Sequence, residues 1–226
     1  SLGVEIITDA EVKDVQKENG TVSLVKDIHD RSYAADVFVS SADYHHTDKT
    51  LLNGSANYSE KYWDKRIMAP SALLYYVGVN KRLTNVQHHN LFFDKSLLEH
   101  GKEIYKNPSW PKAPLFYMSV PSLTDPSVAP ENHENVFFLI PIAPNLEDDE
   151  TQRAFYFDLL LERLKRLTGN DIASNIVYQR SFSIKNFKED YHAFKGNAYG
   201  LANTLSQTAL FKPQIKNKHL KNFFYT

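Results

Sequence analysis

Histidine is the residue in this chain with the most obvious chemistry to offer, and four of the nine come as adjacent pairs, His45-His46 and His88-His89. Neighbouring side chains point to opposite faces of a strand, or about 100° apart on a helix, so an adjacent pair seldom closes on one metal ion. No H-x-x-x-H or H-E-x-x-H spacing is present, and no metal centre is expected. The sequence holds no cysteine, which removes thiolate ligands, disulfides and a cysteine nucleophile together. A serine hydrolase would need a G-x-S-x-G elbow, which is absent. The eight glycines never fall into G-x-G-x-x-G or G-x-x-x-x-G-K, so nothing here cradles a phosphate. Gly196 and Gly200, in Lys195-Gly196-Asn197-Ala198-Tyr199-Gly200, read as a tight turn.

Such groups must be held by a core, and 226 residues at 42% hydrophobic are enough to bury one. The net charge of −1 gives no electrostatic case for nucleic acid. No stretch approaches the roughly 20 apolar residues that span a bilayer, and the first residues lack a basic region followed by an apolar run. Both ends run into apparent strands, so the chain reads as a piece of a longer protein.

Residues 3–43 suggest a three-stranded meander. Val4, Ile6, Val12 and Val15 carry apolar spacing, and Asn19-Gly20 suits a tight hairpin. Val22 and Leu24 alternate with polar neighbours, and Ala34 to Val39 forms the third strand. That strand ends in Ser40-Ser41-Ala42-Asp43, small residues past which a backbone could approach a ligand. Residues 44–66 are polar and partly helical. Ser71 to Val79 is nearly continuously apolar and is expected to be buried on both faces. Further strands are expected at Leu91 to Phe93, Leu115 to Val120, Asn135 to Ala143, Ile176 to Ser183 and Leu220 to Tyr225, separated by proline-rich connections at 106–114 and 121–135. The clearest helix runs from Asp149 to Thr168, with Phe157, Leu160, Leu161, Leu164 and Leu167 on one stripe and Gly169 as its stop. Phe187 to Tyr191 forms a further helix or turn. Aromatic residues, 14 Phe and 13 Tyr among them, cluster on these strands. They suit either a filled core or an apolar tunnel for a long ligand, and composition does not separate the two.

Five segments together resemble the phytoene-desaturase family of FAD-dependent carotenoid desaturases. They are Gly3-Val4-Glu5-Ile6 through Ala35-Asp36-Val37-Phe38-Val39-Ser40-Ser41-Ala42-Asp43 with His45-His46 after it; Leu74-Tyr75-Tyr76-Val77-Gly78 with His88-His89-Asn90-Leu91-Phe92-Phe93; Pro121-Ser122-Leu123-Thr124-Asp125-Pro126-Ser127 to Pro130; Tyr191 to Leu201; and Lys221 to Thr226. They occur in the family's order along nearly the whole chain. The resemblance implies an α+β (mixed α/β) fold of a two-domain FAD-linked oxidoreductase: part of the FAD-binding domain in 1–43, a substrate-binding domain in 44–190, and a return segment in 191–226. It implies dehydrogenation of a polyene in carotenoid biosynthesis, FAD as electron acceptor, a lipophilic substrate, and a cytoplasmic enzyme sitting peripherally on a membrane surface. Val12, Ser40, Ser41, Ala42 and Asp43 would lie near the cofactor, and His45, His46, Lys195 and Gly196 are the candidates for catalysis.

The family's glycine-rich motifs are missing from this stretch, so it should neither hold FAD well nor turn over substrate unaided. Three other readings stay open: a related oxidoreductase acting on hydroxylated or C30 carotenoids or on retinol, an apolar-ligand carrier that uses no flavin, and a related FAD amine oxidase, for which no matching residues are seen.

Overall fold

The computed structural model describes residues 2–226, which divide into two compact units, 2–67 with 203–226, and 68–202. The division falls at 67/68 and 202/203 rather than at the expected 43/44 and 190/191, because the helical stretch after residue 43 packs with the first strands.

In the first unit, β1 (Val12–Glu18) and β2 (Thr21–Asp27) form the hairpin expected at Asn19-Gly20, both of which have positive φ. The rest of the predicted meander is different. Val4 and Ile6 join no strand and are exposed, with positive φ at Gly3 and Asp9 interrupting any extended run. The third strand is only Ser32–Tyr33 (β3), and the predicted 34–39 strand shifts to Phe38–Ser40 (β4). Strand β4 leaves the hairpin to pair in parallel with the last strand, Phe223–Tyr225. The turn that brings β3 back onto β2 is organised by Asp27, whose carboxylate accepts from the amides of His29 and Arg31, the Arg31 guanidinium and the Tyr33 hydroxyl. Burial alone would raise that carboxyl, but these donors outweigh it and hold it at about 2.

After β4 come α1 (Tyr44–His46), a π-turn at Thr47–Leu51, and α2 (Glu60–Asp64), capped by Ser59. Buried Asp48 accepts from the amides of Asn57 and Tyr58 at 2.6 and 2.9 Å and from the Tyr225 hydroxyl at 3.0 Å. Tyr44 stacks on Tyr225, centroids 3.9 Å apart. These bonds tie the helical stretch to the last strand over a small core of Val15, Val22, Leu52, Leu220, Phe223 and Tyr225.

The second unit is built on a five-stranded antiparallel sheet. Its strands are β5 (Ser71–Val79), β6 (His89–Phe92), β7 (Phe116–Ser119), β8 (Glu134–Ile142) and β9 (Ile176–Phe182), in spatial order β6-β7-β8-β5-β9. Helix α3 (Leu97–Tyr105) is not among the elements expected above, although Ser96 caps it, Glu99 lies in its first turn and His100 and Ile104 form its buried side around a central Gly101. Helix α4 (Glu150–Thr168), capped by Asp149 and ended by left-handed Gly169, lies where the pattern places it. Its Phe157, Leu160 and Leu164 pack on Leu73, Tyr75, Val77, Phe138 and Ile140. Leu161 is only half-buried, and Leu167, expected on the same stripe, is exposed at the last turn. A last helix, α5 (Ile184–Asp190), follows β9 and starts earlier than expected at a Ser183–Asn186 capping box.

Candidate functional site

The two faces of the five-stranded sheet are unlike. Residues opposite each other in an antiparallel pair share a face. On the α4 side, Leu73, Tyr75, Val77, Met118, Val136, Phe138 and Ile140 are buried almost completely. On the other side the registers place Leu91 beside Tyr117, Tyr117 beside Leu139, Leu139 beside Leu74, and Phe137 beside Tyr76. Leu74 continues to Phe182 and Tyr76 to Arg180. This second row is only half buried, and Tyr76 is 41% exposed. Strand β5 therefore does not have the two buried faces its apolar run suggests. Its partners alternate between packed and open sides.

The open row is largely aromatic. Tyr76 and Phe137 rings lie 5.3 Å apart, and Phe137 and Tyr117 6.3 Å. At one end Phe182 contacts Phe187 and Tyr191, extending the row past α5. At the other end sit the paired histidines: His89 Nδ1 is 2.6 Å from the Tyr117 hydroxyl, and His88 Nδ1 is 2.6 Å from Thr124 Oγ1. Each imidazole is held by a hydroxyl, not by a carboxylate, and among the described residues no three His, Asp or Glu side chains come together to bind a metal. What this face can do chemically is hold an elongated apolar molecule against rings, with the hydroxyls of Tyr117 and Tyr76, Arg180 opposite Tyr76 and the paired histidines as its polar groups.

The residues expected near a cofactor lie in the first unit. Val12 begins β1, the edge strand of its sheet, so its outer backbone edge has no strand partner there. Ser40 ends β4, its hydroxyl 2.8 Å from Thr47 Oγ1, and the Asp43 carboxylate accepts from the His46 amide at 3.1 Å. Both polar side chains are thus occupied locally, leaving Ser41 and Ala42 as small, exposed residues between them. Such a stretch presents backbone without bulk.

The catalytic candidates separate. His45 Nε2 lies 3.2 Å from Glu60 Oε2 and edge-on to Trp63; the neighbouring imidazole lowers the Glu60 carboxyl below its usual range. His46 sits beside it in α1. Lys195 and Gly196 belong to the other unit, in a 3₁₀ turn. Lys195 adopts φ 58°, its carbonyl accepts from the Asn145 amide, and its ammonium lies over the Phe194 ring. Gly196, with φ 63°, lies against Ile184. Sequence reasoning names these four but not the open row, whose only signal is the alternation hidden inside apolar runs.

No family model matches the chain. Among curated proteins it is similar along its whole length to the carotenoid 3,4-desaturase of Haloarcula japonica, at 38% identity, covering 46% of that protein. It is 28% identical over 99% of its length to the 4,4'-diapolycopene oxygenase of a Methylomonas species, and 25% identical over 99% to the lycopene-forming phytoene desaturase of a Paracoccus species, covering 46% of each. The chain thus spans about half the length of the curated relatives it matches. Among solved structures, an oxidoreductase from Methanosarcina mazei superposes on 95% of this chain and 42% of its own, with TM-score 0.59 at 13% identity, a likeness of fold.

Proposed function

The chain belongs to the carotenoid-desaturase family that includes the phytoene desaturases, and from that membership we propose that it forms the polyene-facing part of an FAD-dependent carotenoid desaturase. The observation that carries the reading is the half-open aromatic row Leu91, Tyr117, Leu139, Phe137, Tyr76 and Phe182, on a chain similar end to end to a carotenoid 3,4-desaturase. A conjugated chain laid along this row would gain apolar contact at every ring without needing a hydrogen bond.

Dehydrogenation removes two hydrogens from adjacent carbons and leaves a double bond between them. FAD, when bound, supplies the two-electron acceptor for that change, which no side chain in this sequence can supply. The work left to this chain is to bind the polyene, align the saturated bond and keep water away. Val12, Ser41 and Ala42 would flank the flavin through backbone and small side chains. A lipid-soluble substrate also argues for an enzyme working at a membrane surface. Among the described residues no helix is long and apolar enough to cross one.

The test is to express the full-length protein containing this chain with a panel of C40 and C30 polyenes, with and without hydroxyl groups. Mass loss of hydrogen pairs and a red-shifted pigment spectrum are the expected result. A protein that carries FAD yet dehydrogenates none of the panel overturns the proposal. A preference for C30 substrates would place it with the relatives named for diapolycopene.

A further inference from the structure

Across the strands, the open face of the five-stranded sheet falls into two neighbouring rows. One runs Leu91, Tyr117, Leu139, Leu74 and Phe182, and its only polar atom is a phenol oxygen. The other runs His89, Ser119, Phe137, Tyr76 and Arg180, from edge strand β6 to edge strand β9. Four interstrand spacings separate its ends, roughly 19 Å. The two ends differ. His89 Nδ1 already meets the Tyr117 hydroxyl at 2.6 Å. Arg180 is exposed and permanently charged, and among the described residues its guanidinium has no ion-pair partner. None of the paired strand residues on its face is Asp or Glu. The Tyr76 hydroxyl, on the strand beside it, makes no hydrogen bond among the described residues either.

In water an unpaired guanidinium is hydrated and costs nothing. A polyene laid on this face displaces that water, and a pure hydrocarbon returns none of the hydrogen bonds lost at Tyr76 and Arg180. A ligand with an oxygen acceptor at that end of the row does return them. The apolar row also lacks a register of its own. Apolar burial and dispersion have no direction, so a hydrocarbon chain gains nearly as much after sliding along the rings as before. Presenting one saturated bond out of several needs a fixed stop. A planar fork of donors at the end of the row is such a stop, because it fixes both the place and the direction of the acceptor it holds.

We propose that Arg180, with the Tyr76 hydroxyl beside it, is a specificity-determining anchor: it takes an oxygen-bearing end of the polyene, a hydroxyl or a carbonyl, and so sets which carbon–carbon bond is presented for dehydrogenation. This rests on the reading of the open row as the polyene face and names the class of polyene that fits it. The experiment uses the full-length, flavin-loaded protein and three acyclic C40 polyenes of one skeleton: a hydrocarbon, a terminal alcohol and a terminal aldehyde. Quenching of protein fluorescence reads binding, and NMR of the product reads the position of the new double bond. Wild type should bind an oxygenated polyene roughly tenfold tighter than the hydrocarbon and convert it to one positional product. Arg180→Met should lose that tenfold, leave hydrocarbon binding unchanged and give a mixture of positions, and Arg180→Lys should keep part of the preference. Equal binding of all three polyenes by wild type, or an equal loss toward all three in Arg180→Met, overturns the proposal. So does an Arg180→Met protein that unfolds or sheds its flavin, since the guanidinium is then paired within the complete protein. A wild type that dehydrogenates none of the three, yet binds the oxygenated ones tighter through Arg180, refutes the desaturase reading and leaves the anchor standing.

Discussion

A β-carbon at Gly196 would stand 2.6 Å from Cγ2 of Ile184 and 2.9 Å from its carbonyl oxygen. The turn that ends the second unit is therefore pressed against the first turn of α5 at the one residue type that leaves room, and at φ 63°, where glycine is also unstrained. The Ile184 methyl could swing aside only within a packed core, and the Ile184 carbonyl 2.9 Å away and Cα 3.3 Å away cannot move by rotating a side chain.

Gly196→Ala should accordingly destabilise the protein by about 2–4 kcal/mol, from overpacking together with the left-handed backbone. Urea midpoints of the wild type and variant measure it. Gly101→Ala is the control, because a β-carbon there meets nothing within 4 Å, and it should be neutral or slightly stabilising. A loss at Gly196 no larger than at Gly101 would remove the close-approach explanation.

Buried His100 makes stability fall in acid. Its Nδ1 accepts from the Leu115 amide at 3.0 Å, which leaves Nε2–H to donate to the Pro141 carbonyl at 2.8 Å. Burial lowers its pKa, against the pull of the Pro141 carbonyl. The fold favours the neutral ring, so this contribution is fully present above the unfolded value near 6.5 and is lost as pH drops below it. The slope from this group cannot exceed about 1.4 kcal/mol per pH unit. Melting temperatures at pH 7.5 and 5.5 should differ more for wild type than for His100→Gln, which has no ring to protonate.

Phe137 and Phe138 are neighbours with opposite tasks. Phe138→Ala empties a fully buried position under α4 and should cost about 3–5 kcal/mol. Phe137→Ala, on the half-open row, should cost about 1 kcal/mol, yet raise KM for the polyene in the full-length enzyme roughly tenfold. Chemical denaturation and steady-state kinetics separate the two. Equal stability losses would mean that the open row is covered in the complete protein.

The Ser41-Ala42 stretch is predicted to need small side chains. Ala42→Leu should leave folding unchanged, since the position is exposed, and weaken flavin retention roughly tenfold, about 1.4 kcal/mol. Flavin absorbance after gel filtration reports it without any turnover. Full retention in the leucine variant would place the cofactor elsewhere.

Local signals made several elements readable before any coordinates. Asn19-Gly20 specified its hairpin because few other pairs adopt two positive φ values in succession. Asp149, the acid at its start and Gly169 bounded α4, and of the five residues read as its stripe Phe157, Leu160 and Leu164 are buried while Leu161 is half-buried and Leu167 exposed. The ordered motifs also carried the family, as the whole-length similarity to a carotenoid 3,4-desaturase shows. These are properties of short stretches, in which each residue constrains neighbours a turn or a strand away.

What the sequence left open depends on partners distant in the chain. Nothing within residues 34–43 says that Phe38–Ser40 leaves the meander to pair with Phe223–Tyr225, because strand pairing is a choice among all available edges. The apolar run Ser71–Val79 likewise could not reveal that Tyr75 is buried while Tyr76 is open. Both are aromatic, and only the placement of α4 against one side of the sheet separates a filled core from a surface able to receive a ligand.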